Sequence, residues 1–581
     1  MTDIPGYEHF TKIEAVNKGW SGDKKYYIET DDDRRLLLRI ADFPQFSRKQ
    51  AEFRMMERAA SLGVPMSIPV TFGVCDSGKN VFQLFTWCDG GDAETLLPLL
   101  PETEQYVLGV KSGEILRTIH SIPAPETQEN WAIRFNKKMD IKIKKYRECG
   151  LRFDGDEKVI DYIEQNRHLL ENRIQCYQHG DYHVGNMIIS QDNKLSIIDW
   201  NRNDFGDPWE EFNRIVWSAA ASPHFATGQL CGYFGGEPPL EFFKLLLLYI
   251  STNTLSSIYW AIPFGQKDID TMMKQSRDVL AWFDNMRNPV PSWFIKDFYI
   301  QYIDGIPYKL KSPFDFSFIS KYGKVFKVFD DQDSGNICFG VNNNGRQYFV
   351  KYAGAETARA NDKPNDAIAR LKAALPVYRD LRHPSLISLL KDEEIGGGYA
   401  AVFDWVDGEC MGKMYPLSRQ KFMRMPPKIK KKVFEEIMIF HAWVAECGYA
   451  AIDFYDGSIM YDFGNSKTVI CDIDFYSKKP FINQMGRLWG SSRFMSPEEF
   501  TLGAEIDEVT NVYTMGATAF ALFTNSDRSP EKWPLSMHLY DVVKRAVSDE
   551  RGQRQRSIKE LIEEWTKRRF DGPAPCHAPH L

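Results

Sequence analysis

The sequence predicts an α+β chain of two tandem units, each a β-rich segment followed by a mainly helical one. Two observations carry this. Short β-branched and aromatic runs, broken by Asp- or Asn-rich turns, open each half, and long stretches of helical periodicity follow them. From about Ser320 the order of elements repeats the order seen at the start. A chain of 581 residues, 43% of them hydrophobic, is ample for several cores, about three or four compact units.

In the first half, Tyr26-Tyr27-Ile28 and Leu36-Leu37-Leu38-Arg39-Ile40 read as strands around the turn Asp31-Asp32-Asp33. Before them, Gly19-Trp20-Ser21-Gly22-Asp23 reads either as a loop over nucleotide phosphates or as an ordinary hairpin turn. A helix is expected from Ser47 to Leu62, then a strand, Phe82 to Trp87, leading into Cys88-Asp89-Gly90-Gly91. Helical patterns follow from Glu104, from Val159 to Leu170, and around 210–221, 240–260 and 268–286. Asn288-Pro289-Val290-Pro291-Ser292 breaks the run, and the boundary is placed there: 1–290 as one domain, 291–319 as linker, 320–570 as a second domain and 571–581 as a disordered tail.

Composition excludes several function classes. A net charge of -7 argues against a nucleic-acid binder held by backbone phosphates. The ten cysteines are scattered without C-x-x-C or zinc spacing, as expected of reduced thiols in the cytoplasm. The start lacks a basic flank and an apolar run, so no secretory signal is visible. The longest apolar stretch, Phe242 to Ile262, contains Lys244, Thr252, Asn253 and Ser256 and reads as a buried helix, not a membrane span.

The chemistry is concentrated in Gln178-His179-Gly180-Asp181-Tyr182-His183-Val184-Gly185-Asn186. The apolar run Leu195-Ser196-Ile197-Ile198 then ends in Asp199. Phosphoryl transfer needs a carboxylate to orient a hydroxyl and take its proton, and an amide oxygen and a second carboxylate to hold magnesium on nucleotide phosphates. Asp181 is the candidate base, and Asn186 and Asp199 are the candidate metal ligands. H-G-D-x-x-x-x-N arises by chance at on the order of 10⁻⁵ per window, which disfavours a surface turn.

At these residues the chain resembles the aminoglycoside phosphotransferase family, whose signature is H-G-D-x-H-x-x-N followed by I-D; His183 and Gly206-Asp207-Pro208-Trp209-Glu210 fit as well. The resemblance implies a bilobal protein-kinase-like fold with ATP and Mg2+ between the lobes and a small-molecule hydroxyl as acceptor. It also implies a cation on the third strand, here Arg39 where lysine is usual, steadied by a helix glutamate: Glu52 fits better than Glu57. Asp204, Asp207, Glu210 and Glu211 admit two readings, an acidic pocket for a polycationic substrate or, preferred, a solvated helix start.

The second half resembles serine/threonine protein kinases. His383-Pro384-Ser385-Leu386-Ile387, Gly490 to Glu498, Asn511 to Gly516 and Arg556 to Leu561 match their characteristic segments. Lys351 takes the place of Arg39, Asp453 matches the base, and Ser458 replaces the metal-binding asparagine. Asp472 is favoured as second acid by spacing and Asp474 by its D-F context. Lysine is lost at Tyr455, no glutamate stands on the helix before His383, and Pro376 is expected to end or kink that helix. This half is either a divergent kinase acting on protein or a non-catalytic regulator of the first half. A scaffold without transfer activity in either half is the remaining alternative.

Overall fold

The computed structural model describes residues 1–17 and 22–567. The readings of Gly19 to Ser21 as a phosphate loop and of 571–581 as a tail lie outside the described residues. The chain divides into two compact units, Met1–Lys296 and Asp297–Leu581, and is α+β throughout.

The first unit opens with a five-stranded antiparallel sheet. In chain order its strands are β1 (Phe10–Ala15), β2 (Lys24–Thr30), β3 (Arg35–Asp42), β4 (Pro69–Cys75) and β5 (Asn80–Thr86), and helix α1 (Phe46–Ser61) separates β3 from β4. The spatial order is β1-β2-β3-β5-β4. Alternation along β3 decides which side chains meet the active cleft. Leu36, Leu38 and Ile40 pack with Ile28, Phe82 and Leu84 on one face. Leu37 and Arg39 point the other way and line the cleft. Arg39 lies between Lys25 on β2 and Gln83 on β5.

Below the sheet, the helices Glu102–Ile119 and Pro223–Phe234 cross in backbone contact. Glycines at four-residue spacing on both permit it: a Cβ on Gly113 would lie 2.1 Å from the Gln229 carbonyl oxygen, and one on Gly232 2.1 Å from that of Val110. The helix Leu240–Ala261 is long and apolar enough to cross a membrane, but it sits in the core with Leu245 to Leu248 and Leu255 buried.

The second unit begins with a hairpin, Tyr299–Ile303 and Ile306–Leu310. Its sheet comprises Lys324–Phe329, Asn336–Asn343, Arg346–Ala353, Leu389–Ile395 and Gly398–Asp404, with the last two exchanged in space, the order found in the first unit. Lys351 sits on the third strand between Cys338 and Ala401, the register that Arg39 holds on β3. The helix Pro364–Asp380 contains Pro376 and is not ended by it. Proline removes one hydrogen bond near the last turn. Burial of Ala374, Leu375, Val377 and Tyr378 in the core holds the helix together past that point.

Candidate functional site

The loop that carries Asp181 is shaped by Gly180, whose φ is +83°. A Cβ there would lie 1.9 Å from the carbonyl oxygen of Arg202, so only glycine fits. The Gly180 N–H donates to both oxygens of buried Glu211, at 2.9 and 3.2 Å. His179 is fully buried. Its Nδ1 accepts from the Asp181 N–H at 3.3 Å, and its Nε2 donates to the Ile198 carbonyl at 3.0 Å. Burial pushes its pKa down, so a neutral imidazole braces the Asp181 loop to the strand that delivers Asp199.

Asn186 turns back onto Asp181, donating from Nδ2 to its carbonyl at 2.9 Å and its Oδ2 at 3.2 Å. The Ile198 N–H donates to the Asn186 carbonyl at 3.0 Å, which places Asp199 beside that loop. Asp199 has φ +63°, an unusual backbone for a non-glycine residue and one that concentrates at functional sites. Asp181, Asn186 and Asp199 all line one cleft of about 1270 Å³.

Asp181 is strongly acidic. Burial raises its pKa, but His183, whose Nε2 lies 3.8 Å from Oδ1, and the charges of Arg214 and Arg202 outweigh that and hold it far below the usual carboxylate range. Arg214 Nε lies 3.3 Å and Arg202 Nη1 3.7 Å from Asp181 Oδ1. Asp199 Oδ1 lies 3.5 Å from Arg39 Nη1; it is buried and accepts no hydrogen bond among the described residues. That orphan oxygen and the Asn186 Oδ1, left over once Nδ2 is used, are hard donors that fit magnesium.

Arg39 itself is engaged. Its Nε and Nη2 donate to Asp23 Oδ2 at 3.1 and 2.8 Å, and Nη1 lies 3.8 Å from Glu52. Glu52 is buried, whereas Glu57 is exposed. Sequence reasoning missed Lys49, which is buried on α1 between Asp23 (2.6 Å) and Glu52 (3.4 Å). It also missed the whole helix Trp131–Glu148, whose residues 131, 134, 135, 138 and 142 line the cleft. The i, i+3, i+4 spacing of those residues was the available signal.

The acidic cluster after Asp199 divides by role. Asp207 is buried and holds Arg173 at 2.7 and 3.0 Å and the Tyr249 hydroxyl at 2.6 Å; Glu211 holds the Gly180 N–H. Only Asp204 and Glu210 reach the cleft, so neither the acidic-pocket nor the solvated-helix reading accounts for all four.

In the second unit, the Cys471 N–H donates to the Ser458 carbonyl at 3.0 Å, as Ile198 does to Asn186. Asp472 therefore holds the place of Asp199. Asp474 is occupied otherwise: its Oδ2 lies 2.5 Å from Lys351 Nζ and its Oδ1 accepts from the Tyr378 hydroxyl at 2.8 Å. Lys351 is also 3.7 Å from Asp472, so these aspartates fill the role of the missing helix glutamate. Ser458 is buried and its Oγ has no hydrogen-bond partner among the described residues.

Asp453 shares the burial of Asp181 but not its neighbouring charges. No cation pairs with it among the described residues. Burial, then the charges of Asp472, Asp333 and Glu499, push its pKa up to about 7. Asn511, which opens one of the segments matched in the sequence, and Asp456 hold its loop. Asn511 donates to the Ala451 carbonyl at 2.6 Å and accepts from the Ala451 N–H at 2.8 Å. Asp456 is gripped by Arg493 at 2.9 and 3.0 Å and by Arg419.

No curated protein matches the chain. Among solved structures, a choline/ethanolamine kinase family protein from Mesorhizobium loti is 15% identical, with a TM-score of 0.38 over 50% of this chain and 95% of its own. A thermostable aminoglycoside phosphotransferase APH(4)-Ia in complex with ADP and hygromycin B is 16% identical, with a TM-score of 0.36 over 47% and 94%. An amicoumacin kinase with AMP-PNP and Ca2+ is 11% identical, with a TM-score of 0.36 over 49% and 91%. Residues 12–243, less than half of the chain, match APH, the phosphotransferase enzyme family.

Proposed function

We propose that the first unit transfers the γ-phosphoryl group of ATP to a hydroxyl of a small molecule. The observation that carries this is the convergence of Asp181, Asn186 and Asp199 on one cleft with Arg39 beside them. Asp181 orients the acceptor hydroxyl and receives its proton as the acceptor oxygen bonds to the γ-phosphorus. The bond from that phosphorus to the β,γ-bridging oxygen breaks, and ADP leaves. A base this acidic suits a loose transition state, where orientation matters more than proton affinity. Asn186 and Asp199 would hold magnesium, which neutralises charge on the β- and γ-phosphates when bound. Arg39 contacts phosphate on this reading, steadied by Glu52.

The second unit is read as a protein-kinase-like domain that regulates the first, with a divergent serine/threonine kinase as the competing reading. The neutral Ser458, the uncompensated Asp453 and the engagement of Lys351 by Asp474 favour regulation. Labelled ATP supplied to the full chain, Asp181→Ala and Asp453→Ala separates the readings. Transfer to small alcohols lost only in Asp181→Ala supports the proposal. Autophosphorylation lost only in Asp453→Ala refutes the regulatory reading, and absence of nucleotide binding in all three leaves a scaffold.

A further inference from the structure

We infer that the acceptor taken by this cleft is an alcohol carrying an anionic group, a carboxylate or a phosphate, held by Lys142 with Arg214 and Arg202 nearby. This rests on the phosphotransferase reading of the first unit and goes beyond it to the substrate class.

The helix Trp131–Glu148 presents Arg134, Lys138 and Lys142 to the cleft, one helical turn apart. The first two are neutralised locally. Arg134 donates to the Phe205 carbonyl and lies 3.6 Å from Asp204; Lys138 lies 3.2 Å from Glu210. Glu210 is used twice, since its other oxygen accepts from Gln178 at 3.3 Å. Lys142 has neither an ion pair nor a hydrogen bond among the described residues. Burial, then Lys138, lower its pKa to about 7; Glu210 opposes that shift and Arg214 adds to it.

Arg214 adds a second cation on the same wall. Its Nε is buried without a hydrogen bond among the described residues, and its ion pair runs to Asp181 itself. Arg202 approaches the same carboxylate. Along this wall Asp204 and Glu210 are each paired with a neighbouring cation and Lys142 is not, while Asp92, Glu94 and Asp268 line the cleft elsewhere. A polycation or a quaternary amine would face Lys142 and two guanidiniums at short range. An anion would supply the partner that Lys142 lacks, with its hydroxyl directed to Asp181. Asp268, in the first turn of the helix Gln266–Trp282, also lines the cleft and offers a place for an amine on the same molecule.

The test uses the full chain with MgATP and four probes: glycerate, glycerol monophosphate, choline and kanamycin. Phosphate transfer and binding in the presence of MgADP are followed for wild type, Lys142→Met and Lys142→Arg. The expected result is turnover or binding of an anionic probe, the two anions showing which headgroup is preferred. Lys142→Met then raises KM for that acceptor about tenfold or more with kcat little changed. Lys142→Arg recovers most of the loss, and KM for MgATP stays constant in both variants. Preference for choline or kanamycin over both anions overturns the inference while leaving phosphoryl transfer standing. So does normal MgATP binding with no response to either anion, or an acceptor KM indifferent to Lys142→Met. Failure of MgATP itself to bind removes the phosphotransferase reading and this inference with it.

Discussion

Gly180→Ala isolates what the loop geometry contributes. The left-handed φ of +83° costs an L-residue roughly 1–2 kcal/mol. The added Cβ would lie 1.9 Å from the Arg202 carbonyl oxygen, so that backbone must recede by about 1 Å. It cannot do so freely, because Asp204, two residues on, pairs with Gln178 in the sheet that flanks the loop. Overpacking against fixed backbone adds about 1–3 kcal/mol, for a total of about 2–5 kcal/mol. Gly150→Ala is the control: its φ is +77°, but nothing lies within 4 Å of the new Cβ, so it pays only the backbone term. Hydrogen exchange followed by mass spectrometry reads each site separately. Peptides covering 176–189 should exchange about 30-fold faster or more in Gly180→Ala, while Gly150→Ala leaves them at the wild-type rate. Transfer should fall about 100-fold in Gly180→Ala, since the base moves with the loop. Equal exchange at 176–189 and equal activity in the two variants would refute the steric account.

Three other outcomes follow from the same geometry. Asn511→Asp keeps the shape but loses the donor to the Ala451 carbonyl; a destabilisation of about 1–3 kcal/mol should appear as faster exchange across 449–458. Asp453 has a folded pKa of about 7, above its unfolded value, so its contribution to stability is full below about pH 4 and is lost as pH rises through 7. Asp453→Asn, assayed by denaturation in metal-free buffer, should match wild type at low pH and become the more stable protein above neutrality. Lys142 titrates near 7, so affinity for an anionic acceptor should weaken as pH rises past neutrality. A Lys142→Arg variant should flatten that KM profile, because a guanidinium stays charged.

What the sequence revealed about the site depended on how locally its parts were written. Asp181 and Asn186 lie five residues apart in one loop, and Asp199 ends the next apolar strand but one, so their meeting follows from a single short excursion of chain. The place of Lys351 was legible for a similar reason: alternation on a strand fixes the face once the register is known. The cationic wall was not legible. Arg134, Lys138 and Lys142 look like the solvated face of any lysine-rich helix until tertiary packing turns that face into the cleft. Lys49 was hidden for the same reason, since a lysine on an amphipathic helix is ordinarily exposed and only Asp23 and Glu52 explain its burial. The helix continues past Pro376 where the sequence allowed an end, because Val377 and Tyr378 beyond it are held in the core.

The two aspartates at equivalent places in the two units show how little the motif says about charge state. Asp181 is ionised by design of its surroundings: Arg214, Arg202 and His183 converge on one carboxylate whose burial alone would have raised its pKa. Asp453 sits in the corresponding loop, where the positive φ falls on the aspartate itself (+61°) and not on the residue before it, yet it faces Asp472, Asp333 and Glu499 and no cation among the described residues, and it is half-protonated near neutrality. The cation that could have compensated, Lys351, is held by Asp474, whose other oxygen is fixed by Tyr378. Releasing Lys351 toward a nucleotide would uncover Asp474 beside Asp472 and add to the negative charge already gathered there. In the second unit Asp472 and Asp474 gather on one cation, Lys351, whereas in the first Arg39 and Lys49 together share Asp23 and Glu52. That asymmetry, not the presence or absence of a motif aspartate, is the physical ground for the proposal that transfer belongs to the first unit and regulation to the second.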